Sequence, residues 1–174
     1  MAKDIVVFDL DGTVADITHR LHLVQTGTPN WPRFFKECVN DVPKEWALFL
    51  ALGMAAIGKK IVVVSARSQE VQKETEEWFA KHWKDIPYEL NLIRPQGDYT
   101  PDDDMKRAWL NASGIKDRIL FIVDDRTRVV DMWRAEGLTC LQCDRWEEFK
   151  RPRKSQVMVG GTGNIQAGGD VIIK

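Results

Sequence analysis

Ile5-Val6-Val7-Phe8-Asp9-Leu10-Asp11-Gly12-Thr13 runs four apolar residues straight into two carboxylates and a glycine. An unbroken apolar run of this length reads as a strand buried on both faces, the kind found in parallel sheets. Similar runs recur at Ile61–Val64, Leu90–Ile93 and Ile119–Val123, and more weakly at Thr139–Gln142. Between them, Lys44–Ile57, Gln69–Lys84, Asp102–Asn111 and Thr127–Glu136 carry helical patterning. Gly58 and Gly137 stand where C-terminal caps belong, and Thr100-Pro101-Asp102 has the composition of a helix start. Strand and helix alternate, which predicts an α/β fold of Rossmann-like type, a parallel sheet flanked by helices.

Residues 14–43 interrupt that rhythm with Thr28, Pro29, Asn30, Trp31, Pro32 and Pro43. An insertion of about thirty residues exceeds an ordinary crossover loop. It predicts a small cap after the first strand, lying over the strand ends. A domain spanning 1–150 then gives way to a basic linker and glycine-rich tail over 151–174, which holds Gly160, Gly161, Gly163, Gly168 and Gly169. Val157-Met158-Val159 and Val171-Ile172-Ile173 are β-prone but too short to fold alone. Two readings stand, a disordered tail or strand pairing between copies through residues 155–174.

At 174 residues, with 44% hydrophobic and 29% charged side chains, the chain can bury one substantial core. The 25 basic and 26 acidic residues leave a formal charge of −1. That balance excludes a disordered polyelectrolyte and a protein that coats nucleic acid non-specifically, while leaving room for one that grips a single end. The opening apolar run is too short for a signal-peptide core, and no run approaches a membrane span. Three cysteines, Cys38, Cys140 and Cys143, form no disulfide framework. A cytoplasmic protein without membrane contact is expected.

In an open parallel sheet, ligands sit outside the carboxyl ends of the strands. Asp9, Asp11 and Thr13 follow the first strand, Ser65 and Arg67 the second, and Asp124, Asp125 and Arg126 the fourth. Capping and turn formation can explain any one of these, but not all three strands ending alike. Carboxylates crowded at one rim repel by about 4 kcal/mol per pair at 4 Å under an effective dielectric near 20. A hard divalent cation offsets that repulsion. Mg²⁺ suits such oxygen ligands and tolerates a substrate phosphate, whereas a cluster lacking His and Cys disfavours zinc or copper.

Roles follow from position. Asp9 is placed as the nucleophile toward phosphorus, and Asp11 as the acid for the leaving oxygen and then the base for water. Gly12 lets the chain bend around a phosphate, while Ser65 and Arg67 can hold its oxygens. Lys106 is the candidate to neutralise nucleophile and phosphate together.

Asp9-Leu10-Asp11-Gly12-Thr13, with Ser65, Lys106 and Asp124-Asp125 in order, resembles the DxDGT signature set of the haloacid-dehalogenase-like (HAD) superfamily. A narrower likeness lies in Val62–Arg67, in Arg94-Pro95-Gln96-Gly97-Asp98 through Lys106, and in Val123-Asp124-Asp125-Arg126-Thr127 through Trp133 and Cys140. These stretches resemble the 3′-phosphatase domain of bacteriophage polynucleotide kinase/phosphatase over roughly residues 5–143. The resemblance implies a Mg²⁺-dependent phosphomonoesterase that uses an aspartyl-phosphate and acts on 3′-phosphorylated DNA or RNA ends or nucleotides. It implies a metal site of Asp9, Asp11, Asp124 and Asp125, and substrate contacts from Thr13, Ser65, Arg67, Lys106 and Arg126. Only eight residues precede Asp9, so no kinase domain is expected ahead of it. Ala66 stands where glycine is common, and the cap is less similar.

A nucleotidase acting on free mononucleotides is the first alternative, and a non-catalytic scaffold of the same fold assembled by its tail is the second. Dehalogenation is disfavoured, since it needs neither the acid at Asp11 nor the aspartate pair. Gly53–Lys60 imitates a P-loop, but it ends in Lys and leads from helix to strand. Cys140 and Cys143 have metal or redox spacing without a second pair and are expected as buried thiols. Trp46, Trp78 and Trp133 fit core stripes, Trp31 is a candidate substrate contact, and Asp102, Asp103 and Asp104 suit a helix N-terminus. His19 and His22 share one face of a helix in the cap, open either to substrate or to water.

Overall fold

The computed structural model describes residues 2–25 and 27–144. The linker and tail, and any pairing through residues 155–174, lie outside the described residues. In chain order the elements are β1 (Ile5–Phe8), β2 (Ala15–Asp16), α1 (His22–Gln25), α2 (Trp31–Lys36), β3 (Val42–Pro43) and α3 (Glu45–Ala56). They continue with β4 (Lys60–Ser68), α4 (Gln72–His82), β5 (Tyr88–Arg94), α5 (Asp102–Ser113), β6 (Ile119–Asp124), α6 (Thr127–Ala135) and β7 (Cys140–Gln142). One sheet has the order β5-β4-β1-β6-β7 with every pairing parallel.

The period-two geometry of a strand divides β1 between two cores. Val6 and Phe8 pack with Ile61, Val63, Ala47, Ala51, Trp78, Phe79 and Trp83, on the side of α3 and α4. Ile5 and Val7 pack with Val62, Val64, Leu110, Val130 and Trp133, on the side of α5 and α6. This gives a three-layer α/β/α sandwich, as the α/β reading of the sequence expects. Each fully buried aliphatic side chain contributes about 1.5–3 kcal/mol, so the central strand cannot slip register without losing both faces.

Two strands depart from full burial. β5 is mostly half-exposed and β7 has Leu141 facing solvent, because both are edge strands covered less completely than β1. Trp78 and Trp133 are buried, but Trp46 is 42% exposed. It sits on the outer side of α3 with Phe49 and Ile57, while Ala47 and Ala51 face the sheet. Gly58 and Gly137 end α3 and α6 with φ of +78°, the left-handed conformation a cap requires. Residues 53–60 run from α3 into β4, the wrong order for a P-loop.

Between β2 and β3 lies a small helical module, closed by an antiparallel ribbon that pairs Ala15 with Pro43 and Asp16 with Val42. Among the described residues, no helix is long and apolar enough to cross a membrane.

Candidate active site

The order in which strands are added to the sheet reverses about β1: the path moves outward through β4 and β5, then crosses to β6 and β7. The crevice at such a switch point lies at the carboxyl ends of the strands. Asp9 leaves β1 there, still tied to the next strand by its N–H donating to the Val123 carbonyl at 2.9 Å. Asp124 ends β6 and Asp125 follows it. The neighbouring strands therefore deliver three buried carboxylates to one place, with ligand atoms all within 4.8 Å of one another.

Lys106, on α5, reaches the same place with its ammonium group buried. Its Nζ donates to Asp9 Oδ1 at 2.6 Å and to Asp124 Oδ2 at 2.7 Å. Trp133 Nε1 also donates to Asp124 Oδ2, at 3.2 Å, and the Arg126 N–H donates to Asp124 Oδ1 at 3.2 Å. Thr13 Oγ1 donates to Asp125 Oδ1 at 3.4 Å. What remains is Asp9 Oδ2 and Asp125 Oδ2, both buried without a hydrogen-bond partner. Two orphaned carboxylate oxygens are what a divalent cation or an incoming electrophile would satisfy. The donor set is all oxygen, so it fits Mg²⁺.

One lysine against three carboxylates leaves excess negative charge, and the acidities respond. Burial pushes Asp9 up to about 7, with Asp124 adding to the rise and Lys106 opposing it. Burial, together with Asp9 and Asp124, pushes Asp125 up to about 9. Burial would lower Lys106, but the Asp124 and Asp9 carboxylates raise it above its ordinary value and keep it charged.

Asp11 sits outside this group of three. Arg20 Nη2 donates to Asp11 Oδ1 at 2.5 Å, Arg67 Nε donates to Asp11 Oδ2 at 3.2 Å, and Arg67 Nη2 bonds to Asp11 Oδ1. Both guanidinium groups are buried and share a second carboxylate, Asp41. Arg20 reaches Asp41 twice at 2.7 Å, and Arg67 Nη2 reaches it at 3.0 Å. Burial would raise the pKa of Asp11, but Arg67 and Arg20 override it and hold the carboxyl well below its usual range. Arg20 and Asp41 both come from the β2–β3 insertion, so this ionic square bolts the insertion to the ends of β1 and β4.

The structure thus brings Asp9, Thr13, Lys106, Asp124 and Asp125 together and gathers Asp11 and Arg67 beside them in a separate cluster. Ser65 is buried next to Arg67, its Oγ accepting from the Arg67 N–H at 3.1 Å. Arg126 is turned toward α5, where its guanidinium pairs with Asp102. Asp102 does more than favour a helix N-terminus, since it also accepts from Arg94 at 2.5 Å. Trp31 packs against Phe34 and Phe35 with ring centroids at 5.6 and 6.0 Å. Cys140 is buried, whereas Cys143 is only partly so, with Sγ 3.6 Å from Thr13 Oγ1. His19 Nε2 donates to Asp41 Oδ1 at 2.9 Å.

Sequence reasoning passed over Asp41 and Thr75, which accepts from Arg67 at 3.2 Å, and it read Trp133 as core alone. No strand end or motif flags Asp41. Arg20 carried a weak signal, an arginine in an insertion otherwise rich in proline and aromatics.

Residues 3–147 match the family described as "Polynucleotide kinase PNKP phosphatase domain". A chain of a solved Pnkp1/Rnl/Hen1 complex is similar at 27% identity and a TM-score of 0.68, with 83% of this chain and 47% of that one covered. A chain of the Pnkp1/Rnl/Hen1 RNA repair complex is similar at 28% identity and a TM-score of 0.65, with coverage of 81% and 42%. This chain thus spans less than half the length of those two proteins. A putative phosphatase from Clostridium difficile shares the fold at 14% identity and a TM-score of 0.59, covering 84% of this chain and 89% of that one. A match over residues 3–147, well over half of the chain, makes it a member of the polynucleotide kinase phosphatase-domain family and a phosphatase of the HAD superfamily.

Proposed function

We propose that this protein is a cytoplasmic, Mg²⁺-dependent phosphomonoesterase that removes phosphate from 3′ ends of DNA or RNA through an aspartyl-phosphate on Asp9. The observation that carries the reading is the orphaned Asp9 Oδ2, buried without a hydrogen-bond partner while Lys106 holds only Oδ1. A carboxylate held by one oxygen is oriented, and its other oxygen is the nucleophile. Asp9, Asp124 and Asp125 would hold Mg²⁺, whose charge would offset that of the phosphate oxygens as they crowd toward Asp9.

Asp9 Oδ2 forms a bond to phosphorus as the ester P–O bond breaks, and the leaving oxygen takes its proton from Asp11. Water then attacks the phosphorus, giving its proton to Asp11, and the acyl-phosphate bond breaks to free Asp9 and inorganic phosphate. Lys106 stays charged throughout and stabilises the anion. Asp11 cannot carry a proton while both arginines hold it. The competing anion is the substrate's own phosphate, which would draw Arg67 toward itself and release the acid. In this reading the substrate assembles its own proton donor.

Family membership and the RNA repair complex that contains a relative support a polynucleotide end as substrate. The three cysteines are free, as a reducing compartment allows. The test compares turnover of a 3′-phosphorylated oligonucleotide, its 5′-phosphorylated isomer and free 3′- and 5′-mononucleotides, with and without Mg²⁺. Fastest release from the 3′-phosphorylated oligonucleotide is expected, lost on chelation. Preference for mononucleotides would make the protein a nucleotidase, and no release from any ester would leave a binding protein.

A further inference from the structure

The loop after β5 carries a feature that the phosphate chemistry does not use. Tyr99 is 84% exposed, the most exposed of the large hydrophobic side chains among the described residues. Yet the backbone that displays it is held on both sides. Arg94, the last residue of β5, donates from Nη1 to the carbonyls of Asp98 at 2.7 Å and Thr100 at 3.0 Å. The same guanidinium donates from Nε to the Ala66 carbonyl at 2.7 Å and from Nη2 to Asp102 Oδ1 at 2.5 Å. One side chain therefore ties the residues before and after Tyr99 to the end of β4 and the first turn of α5. The loop adds its own restraints, the Asp98 N–H donating to the Pro95 carbonyl at 3.2 Å and the Thr100 N–H to Asp98 Oδ1 at 2.7 Å.

An exposed loop ordinarily pays an ordering penalty when it binds; one already fixed does not. The ring of Tyr99 contributes little buried area to the fold, so its apolar faces remain available to a ligand. Position matters as well. β5 lies two strands from β1, so the loop leaves the sheet about 10 Å across from Asp9 at the usual strand spacing, on the same carboxyl rim. Asp102, held by Arg94, is paired with Arg126, which directly follows Asp125. The support of Tyr99 is thus continuous with the rim that carries the carboxylates, and that rim also bears the guanidinium of Arg128, paired with Asp103.

We propose that Tyr99 is a stacking platform for a base on the 5′ side of the terminal nucleotide, a specificity-determining contact that favours a polymer end over a free nucleotide. This deepens the polynucleotide reading above and rests on it. Every base has a π-face, so such a contact adds affinity without reading sequence.

The experiment measures KM and kcat of the full chain, its Tyr99→Ala and its Tyr99→Phe variants on a 3′-phosphorylated oligonucleotide, a 3′-mononucleotide and p-nitrophenyl phosphate. Tyr99→Ala is expected to raise KM for the oligonucleotide about 5- to 100-fold relative to KM for the aryl ester, and Tyr99→Phe to restore it. An abasic residue scanned along the oligonucleotide is expected to raise KM at one position in the wild type and to have no further effect there in Tyr99→Ala. Equal changes in KM for polymer and aryl ester, failure of Phe to restore it, or additive abasic and Ala effects would overturn the assignment while leaving the polynucleotide reading intact. Wild-type turnover of the aryl ester but not of the oligonucleotide would overturn both.

Discussion

Lys106 Nζ lies 2.6 Å from Asp9 Oδ1 and leaves Asp9 Oδ2 without a partner. The pairing fixes which oxygen of Asp9 is held and which stays open, and it is made by a residue 97 positions away in the chain. The same ammonium is the one cation in contact with Asp124, through Oδ2, among the ion pairs of the described residues.

Lys106→Met should therefore remove both orientation and countercharge. Breaking a buried pair from one side costs about 3–5 kcal/mol. A fall in melting temperature is expected at pH 8, partly recovered by Mg²⁺, together with loss of phosphate release. An unchanged melting temperature in chelator would show that Lys106 is not the main countercharge.

Asp9→Asn removes the proposed nucleophile while relieving the charge crowding. Phosphate release should fall to background and the melting temperature should stay at or above that of the wild type. Incubation with a ³²P-labelled ester should label the wild type at Asp9 and leave the variant unlabelled. Turnover in the variant would remove Asp9 from its role.

Asp9 and Asp125 make the metal-free protein sensitive to pH in the direction opposite to most paired carboxylates. Their folded-state pKa values, about 7 and about 9, lie above the ordinary 3.8 of an aspartate. The unfolded chain therefore ionises first, and stability falls as pH rises from near 4 toward 9. A bound cation reverses the crowding, so the rise in melting temperature on adding Mg²⁺ should grow across that window. A Mg²⁺ increment that shrinks with pH would place the ion elsewhere.

Trp133→Phe keeps the packing against Trp109 but deletes the N–H that donates to Asp124 Oδ2. Partners of a metal ligand typically matter 10–100-fold for metal affinity. Titration of Mg²⁺ activation should show a midpoint shifted upward by about tenfold. No shift would reduce Trp133 to a packing residue.

Asp11→Asn should slow release most for esters with poor leaving groups and least for aryl esters, whose oxygens leave without a proton. Equal slowing of all esters would assign Asp11 a purely structural part in the ionic square with Arg20, Arg67 and Asp41.

Most of the scaffold was legible in the sequence, because strands buried on both faces announce themselves as apolar runs. β1, β4, β5, β6 and β7 each contain or overlap the run expected there. Burial at the sheet edges was less legible, since Leu90 and Ile93 are as apolar as Val62 and Val63 and only the neighbour count differs. The carboxylate cluster could be read for the same reason as the strands: a strand end is a fixed address in a parallel sheet. Asp41 and Arg20 could not, because an insertion has no such address. Arg67 shows the limit from the other side, expected to hold phosphate oxygens and found holding Asp11, Asp41 and Thr75.

Ala15 and Pro43 sit side by side in the β2–β3 ribbon, so the twenty-odd residues between them depart and return through one doorway in the wall of the domain. Such an arrangement makes that stretch interchangeable in principle, since a longer or shorter excursion alters closure entropy only slowly with length. The buried guanidinium of Arg67 sets the condition on any exchange. A replacement graft must close over the Arg67–Asp11 pair, which loses its contacts to Arg20 and Asp41 when the stretch is exchanged.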